Sequence, residues 1–396
     1  MLDRLRLPVA VVAAVVVAEA AVLLLRPKER YPTVKTDPRA YFSTAELERA
    51  AHFRTGQLWL FGGRTLVELG VLIAAVRLAP RAGKRPVVTG AAVAVAIGLT
   101  STAVALPLRA VSRQRAIDVG LVTQSWGGWA VDLAKSGAIS SVFAAGGGAL
   151  IVVGVRRFGR DWWAPGAAAI IGFAVLFSYL GPVVLDPVFN KFKPLPAGPT
   201  RSDVLELAKQ AGVDVGQVYE VDASTRTTAA NAYVTGLGHT KRVVLYDTLL
   251  KDFTPAETRL VVAHELGHVR YRDVPHGLLW LALVAPFGTL VVARVSERLT
   301  RDGRTPVPAV LLALAIAAPV LTTISNQLSR AIERRADAFA LELTGETDAM
   351  VSFEQRITLK NVGDPDPPRW QAVLLGTHPT TMERIGQAIA SRGGPS

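Results

Sequence analysis

Apolar residues along this chain gather in long unbroken blocks, not in the short alternations of a soluble fold. Seven blocks stand out: Leu7–Leu25, Trp59–Val76, Pro86–Leu106, Gly137–Val155, Pro165–Leu185, Leu278–Val295 and Val307–Ile324. Each approaches the roughly 20 residues a helix needs to cross a hydrocarbon core. Each is rich in Ala, Val, Leu and Gly, as expected where helices pack closely in lipid. The pattern predicts a mainly α, polytopic membrane protein in four parts. These are an N-terminal membrane domain of five spans over 1–185, a polar segment over 186–277, two further spans over 278–324 and a C-terminal segment over 325–396. The first block follows MLDRLR, but its apolar run exceeds a signal-peptide core and no convincing cleavage site follows, so it reads as a retained span.

The polar segments carry their own punctuation. DPVFNKFKPLPAGPT is a Pro-rich exit from the membrane, and Thr200 with Asp203 predicts a capping box opening a helix whose Val204, Leu207 and Ala208 share a face. VGQVYEV, NAYVT and RVVLY read as short strands, the last two joined as a hairpin through GLGHTK. Thr254 is a good N-cap, Pro255 suits the first helical position and Glu257 completes the box, so TPAETRLVVAHELGHV should be a well-started helix. A helix over NQLSRAIERRADAFALELTG should stop at Gly345. GDPDPPRW reads as a loop, and Thr380 with Glu383 caps one more helix.

Charge adds orientation. The net charge of +12 would suit nucleic acid, but nearly all of the 44 Lys and Arg fall between the apolar blocks with no aromatic-interleaved basic domain, so no nucleic-acid partner is expected. The loops after the first, third and fifth blocks, with the tail, hold more than twice the Lys and Arg of the other side. The positive-inside rule then puts the N-terminus outside and both the 186–277 segment and the tail in the cytoplasm. There is no cysteine, which excludes disulfides and thiolate metal ligands.

Candidate chemistry sits in HELGH. On a helix, His264 and His268 point the same way and can hold one zinc ion, with Glu265 beside them to take a proton from water acidified by the metal. Two buried histidines at helical spacing are the competing reading. A catalytic zinc site needs a third protein ligand and an open fourth position. SRAIERRAD offers Glu333 and Asp337, one turn apart and on a face with Arg330, directly after a span on the same side as the histidine helix.

Taken together, HELGH, SRAIERRAD, NAYVTG and DPVFNKFKPL resemble the CAAX prenyl protease 1 family, and the resemblance runs over nearly the whole chain. It implies a seven-span zinc metalloendopeptidase with a zincin-like cytoplasmic catalytic domain containing a small β-sheet. By that resemblance His264, His268 and Glu333 match the ligands of one zinc ion per chain, and Glu265 the general base. Asp337 matches an acidic residue that holds a ligand histidine or donates a proton. Asn231 matches a residue on the strand that pairs with extended substrate, and His378 a histidine near the scissile carbonyl. The implied substrate is a peptide or protein with a C-terminal isoprenoid, met at the lipid bilayer.

Two other readings stand beside it. The Ala, Val and Arg bias fits a GC-rich bacterial genome, hence a cell-membrane protein, and a bacterium without prenylated substrates would use such an enzyme for membrane-protein quality control, in the manner of HtpX-type proteases. A transporter or channel with structural zinc is the third. His52, His239 and His276 read as structural or surface residues. Arg64 and Glu68, one turn apart in the second span, mark a functional or structural pair, since intramembrane charge is costly. Glu19 in the first span is ambiguous in the same way, and Trp126 and Trp129 with Asp132 and Lys135 read as an interfacial helix.

Overall fold

The computed structural model describes residues 2–236 and 241–392, without the side chains of residues 2–6. Five long helices come first: α1 (Leu2–Leu25), α2 (Thr44–Arg77), α3 (Pro86–Asp118), α4 (Trp126–Phe158) and α5 (Trp163–Val184). The polar segment then forms α6 (Asp186–Phe189), β1 (Phe192–Pro194), α7 (Pro199–Gln210), β2 (Gln217–Val221), β3 (Ala232–Thr235), β4 (Arg242–Tyr246), α8 (Asp247–Asp252) and α9 (Pro255–Arg270). Two long helices, α10 (Asp273–Leu299) and α11 (Val307–Thr344), lead to α12 (Thr347–Lys360), α13 (Arg369–Leu374) and α14 (Thr381–Ser391).

All seven apolar blocks lie in helices long and apolar enough to cross a membrane, and the chain is a multi-span membrane protein. Their side chains face outward as lipid contact requires, with Leu66 71% and Val142 72% exposed. Several helices outrun their blocks. α2 starts fifteen residues before Trp59 because Ser43 and Glu46 cap it reciprocally, and α4 begins at Trp126 on a Ser125 cap, so the expected interfacial helix is the first turns of a span. α11 runs unbroken for 38 residues through the expected edge at Ile324 and ends at Gly345, whose φ of 69° is the left-handed stop.

The strands form one mixed sheet in the order β1-β2-β4-β3, with β2 parallel to β4 and the other pairs antiparallel. β3 and β4 pair as expected of a hairpin, while its connecting residues 237–240, His239 among them, lie outside the described residues. One expected cap is absent. α7 starts at Pro199 with Gly198 at its N-cap, so Thr200 falls inside the helix, where proline already fixes the first turn. Asp203 is an ion-pair partner of Arg259 on α9 instead. The predicted loop GDPDPPRW also yields its last two residues to α13.

Leu207, Val243, Leu245, Leu249, Leu260, Leu266 and Met350 are buried in one core joining α7, the sheet, α9 and α12, with Ala340 of α11. Connections sort the loops to two ends. Arg81 pairs with Arg304, and Arg160 lies 3.9 Å from Glu297, at one end. At the other, Val122 pairs with Thr227, and Val34 N–H donates to the Gly386 carbonyl. The polar segment and the tail therefore meet the loops after α1 and α3.

Candidate metal centre

α9 carries HELGH and begins as its sequence dictates, with Thr254 and Glu257 capping each other and Pro255 in the first turn. α11 crosses it at a point where only a small residue fits. A Cβ on Gly267 would lie 3.1 Å from Phe339 and 3.5 Å from the Ala336 backbone, so glycine lets the two helices close. That approach sets Glu333 and Asp337 beside the histidines.

Three ligand atoms then converge. His264 Nε2 lies 3.1 Å from His268 Nε2 and 3.3 Å from Glu333 Oε2, and His268 Nε2 lies 3.6 Å from Glu333 Oε1. Metal bonds of about 2.0–2.1 Å in a tetrahedron would put ligand atoms about 3.3 Å apart, so a zinc-sized cation fits between them. Glu333 is buried, and its Oε2 has no hydrogen-bond partner among the described residues, an orphaned acceptor that a cation would satisfy. Two imidazoles and one carboxylate are a donor set typical of catalytic zinc.

The outer ring nitrogens are also held. His264 Nδ1 sits 2.8 Å from Asp337 Oδ1, and His268 Nδ1 sits 2.9 Å from Asp273 Oδ2. Both contacts leave the Nε2 atoms facing the shared centre. Asp273 reaches His268 because Arg272 adopts φ 57°, turning the chain back between α9 and α10. Arg384 of α14 grips Asp337 through two bonds of 2.8 and 2.6 Å and lies 2.6 Å from Glu354 of α12. Burial opposes charge on His264, but the Asp337 and Glu333 carboxylates outweigh it and lift its pKa to about 10. Burial likewise disfavours the Arg384 cation, yet Asp337 and Glu354 hold its pKa above the usual value. Burial raises the Glu265 carboxyl and lowers His378.

His264, Glu265, Glu333, Asp337, Asn231 and His378 line one cavity of about 210 Å³. His378 Nε2 comes within 3.5 Å of Glu333 Oε1, on a loop that Arg330 pins through the carbonyls of Ala372, Val373 and Gly376. Asn231 directly precedes β3, the strand at the sheet's edge, and turns its Oδ1 to the N–H of Ala232. Every residue expected at the site is thus in or beside one cleft, and His52 and His276 are not. Sequence reasoning missed Asp273, Arg384 and Glu354. Asp273 opens α10, past the end of the histidine helix, where the periodicity of HELGH no longer marks it, and the other two arrive on separate helices.

Comparison with known sequences reaches the same architecture. A model of the CAAX prenyl protease N-terminal region, five membrane helices, matches residues 58–191, and one of peptidase family M48 matches residues 194–392, just over half the chain. The chain belongs to peptidase family M48. An uncharacterized metalloprotease of Bacillus subtilis, YhfN, is 32% identical over 310 residues, covering 76% of this chain and 73% of that protein. A CAAX prenyl protease 1 homolog of Arabidopsis thaliana is 33% identical over 52% of this chain, which spans only 50% of that relative. The crystal structure of S. mikatae Ste24p superposes with a TM-score of 0.78 at 19% identity, covering 98% of each chain, so the whole fold is shared. This M48 protein is a membrane metalloprotease acting on peptides or proteins, and the transporter reading falls with that assignment.

Proposed function

We propose that this M48 protein is a zinc-dependent endopeptidase of the CAAX prenyl protease type, cutting near the C-terminus of lipid-bearing substrates at the cytoplasmic membrane face. The observation that carries the reading is the convergence of His264, His268 and Glu333, whose ligand atoms all lie within 4.8 Å of one another. The five-helix N-terminal match and the Arabidopsis relative's name support the prenyl substrate class. The excess of Lys and Arg on the side of the polar segment and tail supports the cytoplasmic orientation. The division at 1–185, 186–277, 278–324 and 325–396 belongs to the same reading.

Bound by those three side chains, zinc would supply Lewis-acid polarisation of the scissile carbonyl and acidify a water to about pKa 7. Glu265, with its pKa raised by burial, takes the attacking water's proton and delivers it to the leaving amine. Asp337 and Asp273 fix the two imidazole orientations. His378, at the cavity mouth, donates to the carbonyl oxygen as negative charge develops there. The edge of β3 beside Asn231 accepts the substrate as an added strand, holding its backbone extended across the cleft.

Glu265→Gln is expected to lower kcat by at least about a thousandfold while leaving metal content unchanged; cleavage surviving in that variant would remove Glu265 as the base. Substrate class is read from one peptide made with and without a C-terminal farnesyl cysteine. A large preference in kcat/KM for the lipidated form supports prenyl processing, and equal rates would favour membrane-protein quality control.

A further inference from the structure

A second cavity, about 630 Å³, lies between α2, α3 and the start of α4. Four guanidinium groups line it, from Arg54, Arg64, Arg109 and Arg113, and no carboxylate does among the described residues. Glu68 stands 3.7 Å from Arg64 and 3.6 Å from Arg109, too far to hydrogen-bond either and shared between both. Asp132, at the rim, is taken by Arg226 at 3.1 Å and by Gln124. The Nε atoms of Arg64, Arg109 and Arg113 are buried with no hydrogen-bond partner among the described residues. Cations so placed in apolar helices call for an anion to complete them.

The surroundings say which anion. Arg113 lies over the rings of Trp126 and Trp129, at 5.1 and 5.5 Å, and indoles of this kind mark the headgroup level of a bilayer. Leu60, Phe61, Leu108 and Leu133 supply an apolar flank to the same cavity. A charged head with a hydrocarbon body matches that division. None of the four arginines lines the catalytic cleft, so a peptide held there has no call on them.

We propose that this cavity binds the phosphate of an anionic membrane phospholipid, with Arg64 and Arg109 as paired donors and the acyl chains along the apolar flank. Occupancy reaches the active site by a short route. Arg54 donates to the carbonyls of Asn361 and Val362 at 2.7 and 2.8 Å, and Asn361 lines the catalytic cavity. The lipid therefore braces one wall of the cleft.

The test uses full-length protein in neutral detergent, offered phosphatidylglycerol or phosphatidylcholine, with bound lipid counted by native mass spectrometry and Tm read in parallel. Wild type should retain phosphatidylglycerol selectively and gain Tm. Arg64→Gln/Arg109→Gln should retain it about thirtyfold less and lose the Tm gain, the strength of two arginine–headgroup contacts. If that variant fails to fold, Arg64→Lys/Arg109→Lys keeps both charges and should bind at intermediate strength. Equal retention of the two lipids, undiminished retention by either variant, or a Tm gain matched by inorganic phosphate would overturn the proposal. So would a variant whose only defect is discrimination between carboxylate-ended and amidated peptides, since the occupant would then be substrate.

Discussion

At the scale of single residues, the metal centre is a nested set of carboxylates. Glu333 faces the shared centre, Asp337 and Asp273 hold the imidazoles from behind, and Arg384 holds Asp337. Asp273→Asn keeps the shape but weakens the grip on His268, and zinc affinity should fall about 10–100-fold in a chelator competition; unchanged affinity would show that His268 needs no such support. Glu354 gives a pH-dependent signature away from the ligands. Burial raises its pKa to about 7 despite the opposing pull of Arg384. Between about 4.5 and 7 the folded protein keeps a proton that the unfolded chain has lost. That contribution is therefore complete below 4.5 and disappears as pH rises through 7, amounting to on the order of 3 kcal/mol. Glu354→Gln should flatten the decline in Tm between pH 5 and 7.5, and an unaltered decline would place its source elsewhere. The convergence of the His264 and His268 side chains was legible in sequence, because four-residue spacing on a helix is a statement about direction, whereas Glu333 was reached through the family resemblance. Asp273 and Arg384 were not legible, since their roles depend on a left-handed turn at Arg272 and on the docking of α14.

Among elements, what sequence conveyed best was where helices start. The reciprocal caps at Thr254 and Thr380 form as read, whereas Thr200 lost its place to Gly198, because the fixed φ of Pro199 starts the helix two residues earlier. The bounds of the spanning helices were read less well, because an apolar block marks what lipid covers and not where hydrogen bonding begins or stops, as the start of α2 and the end of α11 illustrate. Helix contacts were illegible. α3 and α4 cross at Gly90 and Gly148, where a Cβ on Gly148 would stand 2.5 Å from the Gly90 carbonyl oxygen and 2.7 Å from Ala94. Gly148→Val should force these spans apart, costing about 1–3 kcal/mol and lowering Tm by several degrees in detergent, and a variant as stable as wild type would mean the crossing tolerates separation.

For the molecule as a whole, the candidate site residues come from three stretches of chain, the first divided from the other two by two membrane-spanning helices. His264, Glu265 and His268 precede α10, Glu333 and Asp337 follow the apolar part of α11, and His378 comes from the tail. α11 ties the second group to the bilayer, since one helix carries both lipid-facing turns and the candidate ligand Glu333. Nine residues separate Ile324 from Glu333, about 14 Å along a helix axis. A rod that tilts to match hydrocarbon thickness swings its far end, and a tilt change of about 10° displaces a point at that distance by roughly 2 Å. Turnover should therefore vary with acyl-chain length in vesicles of a single headgroup, peaking at one thickness, with kcat following the bilayer more than KM does. The membrane would act as a tuning screw on this enzyme, setting the reach of its acidic ligand as well as presenting its substrate.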